Sequence, residues 1–95
     1  MIFAGSDPTG GAGLVADIQS VTALGCHPAP IVTAVTAQDT SELKNFVAVD
    51  TELVIEQART VLADMPVAAF KIGMLGSAAN LGAVATILKD YPGIP

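Results

Sequence analysis

The sequence predicts an α/β fold in which three main parallel strands alternate with helices, with a short flap segment after the second strand. Short apolar or β-branched runs alternate along the chain with longer segments whose apolar residues recur every three or four positions. The hydrophobic fraction is 52%, and alanine and valine supply much of it. Such residues suit parallel strands that are covered by helices on both faces and joined by right-handed crossovers.

A glycine-rich turn, residues 5–13, follows the first predicted strand, residues 1–4. Because glycine has no Cβ, the chain can turn sharply there and a ligand can approach the backbone closely. The N–H groups at the start of the following helix also favour polar ligand atoms. The turn is neither a Walker A loop nor a G-x-G-x-x-G motif, since Leu14 follows Gly13 and the glycine spacing differs. The glycines alone indicate a ligand-binding loop or a tight connection without a ligand, and they favour neither.

The first helix is predicted over residues 12–24, and Asp17 lies at the margin of its apolar stripe. Leu14, Ile18 and Val21 define that stripe at about 100° per residue. A carboxylate that points inward needs hydrogen-bond partners, since an unpaired buried charge is unfavourable. Asp17 therefore bonds either to N–H groups of its own glycine turn, which the spacing slightly favours, or to a polar ligand in the adjoining cleft.

The second predicted strand is a β-branched run over residues 31–37, and Gln38 and Asp39 follow at its carboxyl end. Ligands of open parallel sheets bind outside the carboxyl ends of the strands. The Gln38 amide offers a donor and an acceptor, which suits the edge of a heterocyclic base. Its position favours this role over capping of the strand or exposure to solvent.

The next segment alternates apolar and polar residues over 45–49, which predicts a small strand or a flap outside the main sheet. Asp50 or Thr51 is predicted to cap the following helix. That helix runs to about Ala63, and Pro66 prevents its continuation.

A third strand is predicted over residues 67–72, and Met74 follows its carboxyl end. A methionine there is more often a packing residue, but its flexible thioether can also lie against a planar ring. Lys71 is unusual inside this apolar strand and should have a partner, which the sequence does not identify.

Ser77 is predicted to cap the last helix, with Leu81, Val84 and Leu88 on its apolar face. Three strands would form a thin sheet with exposed edges. We therefore expect residues 1–95 to be the N-terminal part of a single larger domain whose C-terminal half is absent.

The composition excludes several classes of protein. A net charge of −5 argues against a nucleic-acid partner, which favours a basic surface. No apolar run approaches the ~20 residues of a membrane span, and no signal peptide is apparent. The single cysteine, Cys26, cannot form an internal disulfide, which favours a cytoplasmic location. The single histidine, His27, has no second ligand at metal-binding spacing, so we expect a loop residue and no metal site.

Four ordered motifs resemble the hydroxymethylpyrimidine and phosphomethylpyrimidine kinases of thiamine biosynthesis, which belong to the ribokinase-like superfamily. The motifs are AGSDPTGGAG (residues 4–13) followed by AD (16–17), ALG (23–25), TAVTAQDT (33–40) and KIGML (71–75). The resemblance covers essentially the whole chain, and it implies a ribokinase-like fold and binding of an aminopyrimidine substrate.

The resemblance also implies roles for four residues. Gly5 matches a backbone contact to the substrate, and Asp17 matches the carboxylate that bonds the polar substituents of the pyrimidine. Gln38 matches the amide that reads the ring edge, and Met74 matches a side chain that lines the ring. A ring with donors and acceptors at its edge and a flat apolar face needs this combination of groups.

Family members are much longer than this chain. Their second half carries a Gly-Thr-Gly-Cys-type anion hole, the catalytic residue and most of the ATP site. The resemblance therefore implies an ATP- and Mg²⁺-dependent kinase, a homodimer in the full-length family, and no catalytic residue among these 95 positions. By itself the chain is expected to be inactive.

Two other interpretations stay open. Vitamin B6 kinases share the fold, so the chain could be part of a kinase for a pyridoxal-type alcohol. Alternatively, it is a non-catalytic truncated remnant that acts through association with another chain, which an exposed sheet edge would promote.

Overall fold

The computed structural model describes all 95 residues, which form one four-stranded sheet and three helices. The elements in chain order are β1 (Ile2–Gly5), α1 (Gly13–Ala23), β2 (Pro30–Gln38), β3 (Leu43–Ala48), α2 (Thr51–Asp64), β4 (Lys71–Ile72) and α3 (Ala78–Lys89). The strands lie in the order β3-β2-β1-β4. No helix combines the length and the apolar character that crossing a membrane requires.

The central strand is β1, which pairs in parallel with β2 on one side and with β4 on the other. Parallel neighbours are joined by crossovers, so the carboxyl ends of these three strands meet at one edge of the sheet. The β3 strand runs antiparallel along the second half of β2, from the Ala34–Ala48 pair to the Gln38–Leu43 pair.

The core lies on both faces of β1 because successive side chains of a strand point in opposite directions. On one face, Ile2 and Ala4 pack with Leu14 of α1. The opposite face carries a cluster of buried residues from β1, β2, α2 and α3: Phe3, Ile31, Val54, Ala58, Val84 and Ile87. The helices therefore cover both faces, as the composition predicts.

The order of strands and helices is confirmed, but two predicted strands differ in detail. The segment predicted as a possible flap outside the sheet is β3, a strand of the sheet whose side chains are largely exposed. The strand predicted over residues 67–72 is reduced to Lys71–Ile72. This pair lies opposite Ile2 and Phe3 of the short strand β1, which limits the length of the ladder.

Two predictions about helices are also corrected. The side chain of Asp50 does not cap α2, and the Thr51 hydroxyl instead donates to the Asn80 side chain at 2.8 Å. Leu81 of α3 is 59% exposed, whereas Asn80 is fully buried. The buried face of α3 therefore consists of Asn80, Val84 and Ile87, and the predicted residue Leu81 lies outside it. The predicted cap of α3 is confirmed, because the Ser77 hydroxyl oxygen accepts the Asn80 N–H at 3.1 Å.

The first half of β2 has no strand on its outer side, and Gln57 of α2 takes the place of one. Its side-chain oxygen accepts the Val32 N–H at 3.0 Å, and its amide nitrogen donates to the Val32 carbonyl at 3.0 Å. Buried backbone groups that lack a partner are unfavourable. Gln57 therefore completes the hydrogen bonding of β2 where β3 does not reach.

The Asn80 carboxamide connects segments that are distant in the sequence. Its amide nitrogen donates to the carbonyl groups of Thr33, Val49 and Leu75 at 3.3, 3.2 and 2.9 Å. Its oxygen accepts the Thr51 hydroxyl. One side chain thus satisfies polar groups of β2, of the segment that leads into α2 and of the segment that leads into α3.

Replacement of this amide should destabilise the whole fold. We expect Asn80→Ala to lower the free energy of unfolding by about 3 kcal/mol, because it leaves several buried polar groups without partners. Urea denaturation followed by circular dichroism measures the change. Thr86→Ala on the same helix is the control, since Thr86 is exposed and bonds only to the Gly82 carbonyl. Its effect should stay within about 0.5 kcal/mol, and equal losses for both variants would contradict the central role of Asn80.

Candidate functional site

A cavity of about 260 Å³ opens at the edge of the sheet where the carboxyl ends of the parallel strands meet. Its walls come from the glycine-rich turn, the ends of the β2–β3 hairpin and the segment after β4. The lining residues are Gly5, Ser6, Asp7, Ala12, Gly13, Gln38, Leu43, Lys71, Gly73 and Met74. Ligands of open α/β sheets bind at this edge, so this cavity is the candidate site.

The glycine-rich turn is held by the buried carboxylate of Asp7. One carboxylate oxygen accepts the Thr9 hydroxyl at 2.8 Å and the Thr9 N–H at 2.9 Å. The other accepts the Ala12 N–H at 2.9 Å, directly before α1 begins. These hydrogen bonds hold the pKa of Asp7 below its ordinary value of 3.8, and the bond from the Thr9 hydroxyl has the largest effect. Asp7, rather than Asp17, is therefore the carboxylate that binds the N–H groups of this turn.

Gly13 brings the start of α1 against the end of β1. Its φ angle is +60°, which residues with a side chain rarely adopt. A Cβ at this position would lie 2.5 Å from the Gly5 carbonyl oxygen, closer than real side chains come to backbone. The conformation of the turn therefore requires glycine at position 13.

The turn is also joined to β2 by Ser6 and Thr36. The Thr36 hydroxyl donates to the Ser6 carbonyl at 2.6 Å, and the Thr36 N–H donates to the Ser6 hydroxyl oxygen at 3.1 Å. The Ser6 N–H donates to the Ala34 carbonyl at 2.9 Å. These bonds extend the β1–β2 pairing past the end of the strand and fix the floor of the cavity.

Three of the four predicted site residues, Gly5, Gln38 and Met74, line this cavity. The Met74 sulfur lies 3.7 Å from the position that a Cβ on Gly5 would occupy. The Thr33 hydroxyl donates to the Met74 carbonyl at 2.6 Å, which fixes the backbone after β4. A half-buried amide from β2 and a thioether from the β4 segment therefore face the same space as the backbone of Gly5.

The fourth predicted residue, Asp17, stands beside the cavity and does not line it. One of its carboxylate oxygens, Oδ2, accepts a hydrogen bond from the Lys71 Nζ at 2.8 Å. Lys71 itself lines the cavity. The structure thus identifies the partner that Lys71 requires, and Asp17 contacts the cavity wall through it.

A larger cavity of about 420 Å³ lies at the opposite end of the sheet, between the loop before β2 and the segment before β4. Its wall is mainly apolar and includes Cys26 and His27. His27 is an exposed loop residue, as predicted, and Cys26 is exposed as well. The chain holds no group of three or more His, Cys, Asp or Glu side chains that could bind a metal ion. The smaller cavity is the better candidate because several polar groups converge on it.

Two functional elements escaped the sequence reasoning. The organising role of Asp7 has a local signal, since Asp followed by Pro-Thr-Gly favours a turn in which the carboxylate binds N–H groups two residues on. The Lys71–Asp17 pair has no local signal, because the residues are 54 positions apart. They come together because α1, which carries Asp17, packs on β1, and β4, which carries Lys71, pairs with β1.

Comparison with known proteins gives consistent matches along the chain. The family model for phosphomethylpyrimidine kinase matches residues 7–95. The hydroxymethylpyrimidine/phosphomethylpyrimidine kinase of Streptomyces coelicolor is 44% identical over 96 residues, a match that covers 99% of this chain and 36% of that protein.

Solved structures share the fold. The crystal structure of a phosphomethylpyrimidine kinase from Clostridium difficile superimposes with a TM-score of 0.89 at 34% identity, covering 96% of this chain and 39% of that one. A Bacillus subtilis pyridoxal kinase in complex with ADP gives a TM-score of 0.85 at 27% identity, covering 94% of this chain and 35% of that one. The partial ribokinase-like fold is confirmed, and the chain spans little more than a third of the length of these proteins.

The requirement for glycine at position 13 can be tested by comparing substitutions at Gly13 and Gly82. We expect Gly13→Ala to lower the free energy of unfolding by about 2 kcal/mol or more, because it adds backbone strain and a contact with the Gly5 carbonyl. Gly82→Ala is the control, since a Cβ at Gly82 meets no atom within 4 Å inside helix α3. That substitution should stabilise the chain by about 0.5–1 kcal/mol. Urea denaturation measures both, and a neutral Gly13→Ala variant would contradict the geometry of the turn.

The Asp7 carboxylate predicts a pH-dependent contribution to stability. A folded-state pKa below the unfolded value stabilises the fold above the unfolded pKa, and the effect disappears as the pH falls through the folded pKa. Asp7→Asn places an amide nitrogen where an oxygen accepts N–H groups, so the variant should be less stable at neutral pH. The difference from wild type should shrink as the pH falls below about 4. Urea midpoints across the acid range measure it, and a difference independent of pH would argue against the ionised carboxylate.

Proposed function

This chain belongs to the phosphomethylpyrimidine kinase family, and we propose that it forms the substrate-binding part of such a kinase. The complete enzyme would phosphorylate 4-amino-5-hydroxymethyl-2-methylpyrimidine and its monophosphate with ATP in thiamine biosynthesis. The observation that carries the proposal is the convergence of Gly5, Gln38 and Met74 on one cavity, with Asp17 beside it.

The chemistry of the cavity suits an aminopyrimidine. The Gln38 amide can donate to and accept from the edge of the ring, and the Asp17 carboxylate can accept from the exocyclic amino group. The Met74 thioether offers a polarizable surface to the flat face of the ring. Gly5 lines the cavity with backbone atoms alone, because glycine has no side chain of its own. Together these groups would fix both the edge and the plane of the ring.

The phosphoryl-transfer step is not assigned to residues of this chain. The related pyridoxal kinase was solved with ADP, which supports ATP as the phosphate donor of the complete protein. Phosphoryl transfer depends on positioning and on stabilisation of charge around the phosphate, often with Mg²⁺. The chain spans 36% of the related Streptomyces coelicolor kinase, and it holds no group of three or more His, Cys, Asp or Glu side chains that could bind a metal ion. We therefore propose that these 95 residues bind the pyrimidine without transferring phosphate.

The location and the assembly belong to the same proposal. We infer a cytoplasmic protein, because the only cysteine is a free, exposed thiol. We also infer that the complete kinase is a homodimer, as its family resemblance implies. Nucleic acid is an unsuitable partner for a chain with a net charge of −5.

The second candidate is a kinase for pyridoxal. It is supported by the TM-score of 0.85 between this chain and the Bacillus subtilis pyridoxal kinase. Its sequence identity to this chain is lower, at 27% against 44% for the Streptomyces coelicolor pyrimidine kinase. Pyridoxal presents a ring hydroxyl in place of an amino group, so the two ligands differ in what they offer to Asp17.

Binding to the 95-residue chain tests the proposal. We expect 4-amino-5-hydroxymethyl-2-methylpyrimidine to bind more tightly than pyridoxal in calorimetric titrations. Asp17→Asn and Gln38→Ala should each weaken that binding about tenfold, the equivalent of one or two lost hydrogen bonds. Gln19→Ala, an exposed position on α1, is the matched control and should bind as wild type does.

The other outcomes distinguish the alternatives. Tighter binding of pyridoxal would identify a vitamin B6 kinase. Absence of binding for both compounds, together with self-association in analytical ultracentrifugation, would support a non-catalytic remnant. ATP consumption that depends on the pyrimidine would show that the 95 residues are sufficient for catalysis and would overturn our assignment of the chain as a binding part only.

A further inference from the structure

We infer that Lys71 is a positioning residue that selects aminopyrimidines, because it holds the Asp17 carboxylate beside the cavity. This inference rests on the proposed function, in which Asp17 accepts a hydrogen bond from the amino group of the ligand. The inference gives a role to Lys71, a charged residue that is unusual in an apolar strand. The role follows from the position, the pairing and the exposure of the two side chains.

The backbone of Lys71 is fixed by the sheet. Lys71 lies opposite Ile2 in the parallel pairing of β4 with β1, and its N–H donates to the Met1 carbonyl at 2.9 Å. Its Nζ lies 3.2 Å from the position that a Cβ on Gly73 would occupy. The side chain therefore lies over Gly73 at the cavity wall, and the missing side chain of that glycine leaves room for the ammonium group.

The pair leaves one carboxylate oxygen available. Lys71 bonds to Oδ2 of Asp17, and no other hydrogen bond within the chain reaches this carboxylate. A carboxylate accepts several hydrogen bonds, so Oδ1 can still accept from an amino group of a ligand. The ammonium fixes Oδ2 of Asp17 next to the cavity wall that Lys71 lines.

The exposure of the two side chains indicates that the pair acts on geometry more than on stability. The Asp17 side chain is only 18% exposed, whereas that of Lys71 is 51% exposed. Because water reaches the Lys71 end of this ion pair, the pair contributes little to folding. Without Lys71, however, a largely shielded carboxylate would lose its only partner and would rotate toward water. An arriving ligand would then have to reorient the Asp17 carboxylate, which would weaken binding.

The preference for an amino group measures this role directly. The probes are 4-amino-5-hydroxymethyl-2-methylpyrimidine and the same pyrimidine without the amino group, titrated against the 95-residue chain. We expect wild type to bind the amino compound about tenfold more tightly, consistent with one charge-assisted hydrogen bond. Lys71→Met should reduce this ratio to about twofold or less, mainly by weakening the amino compound. Lys71→Arg, which keeps a donor, should retain most of the preference.

Two further variants separate positioning from general effects. Asp17→Asn should lose the preference as Lys71→Met does, and the double variant should be no worse than either single one, because both act through the same bond. Lys44→Met is the matched control, since it removes an exposed lysine that lies 4.0 Å from Asp39. Urea midpoints verify that each variant folds, and Lys71→Ala, which also removes the donor, replaces Lys71→Met if the Met variant does not fold.

The possible results are distinguishable. If Lys71→Met keeps the full preference, the role of Lys71 is wrong while the pyrimidine site stands. If Lys71→Met weakens both compounds equally, Lys71 contacts the ring directly and does not act through Asp17. If wild type itself shows no preference for the amino compound, the proposed role of Asp17 fails, and the inference about Lys71 fails with it.

Discussion

A single buried amide, that of Asn80, determines how the sheet and the helices meet. A polar group inside the fold is tolerated only when it is fully hydrogen-bonded, and such a group then favours one arrangement over others. Asn80 binds carbonyl groups of β2 and of the segments before α2 and α3. The Thr33 carbonyl accepts from the Asn80 amide, and the Thr33 hydroxyl donates in turn to the carbonyl of Met74. The position of the cavity wall therefore depends on an amide that lies outside the cavity.

The opposite wall depends on a comparable arrangement at the start of the chain. Asp7 binds the N–H groups of its own turn, and Gly13 permits the turn to press against the carbonyl of Gly5. Both walls are thus built from backbone held by polar side chains. Such walls leave little freedom for rearrangement when a ligand enters, which suits recognition of a small rigid ring.

The sequence was sufficient for the order of the elements and for much of the site. Apolar periodicity located the helices, and Gly5, Gln38 and Met74 could be grouped because the carboxyl ends of parallel strands meet at one edge. Features that depend on contacts between distant parts of the chain could not be predicted. The length of β4, the exposure of Leu81 and the partner of Lys71 all depend on which surfaces meet after folding, and local patterns do not record that. The role of Asp7 differs from these, because its Asp-Pro-Thr-Gly turn motif is local and is visible in the sequence.

Gln57 affects the cavity from a distance, through the alignment of the β2–β3 hairpin. An exposed hairpin is prone to slippage, and a shift of one residue exchanges the two faces of a strand. The Gln57 amide occupies the backbone of Val32, so β3 cannot slide along β2 in that direction. A slipped β3 would exchange its own two faces and displace Leu43 from the cavity wall, while β2 and every helix stayed in place. Gln57 thus acts as a stop that decides which residue of β3 meets the ligand.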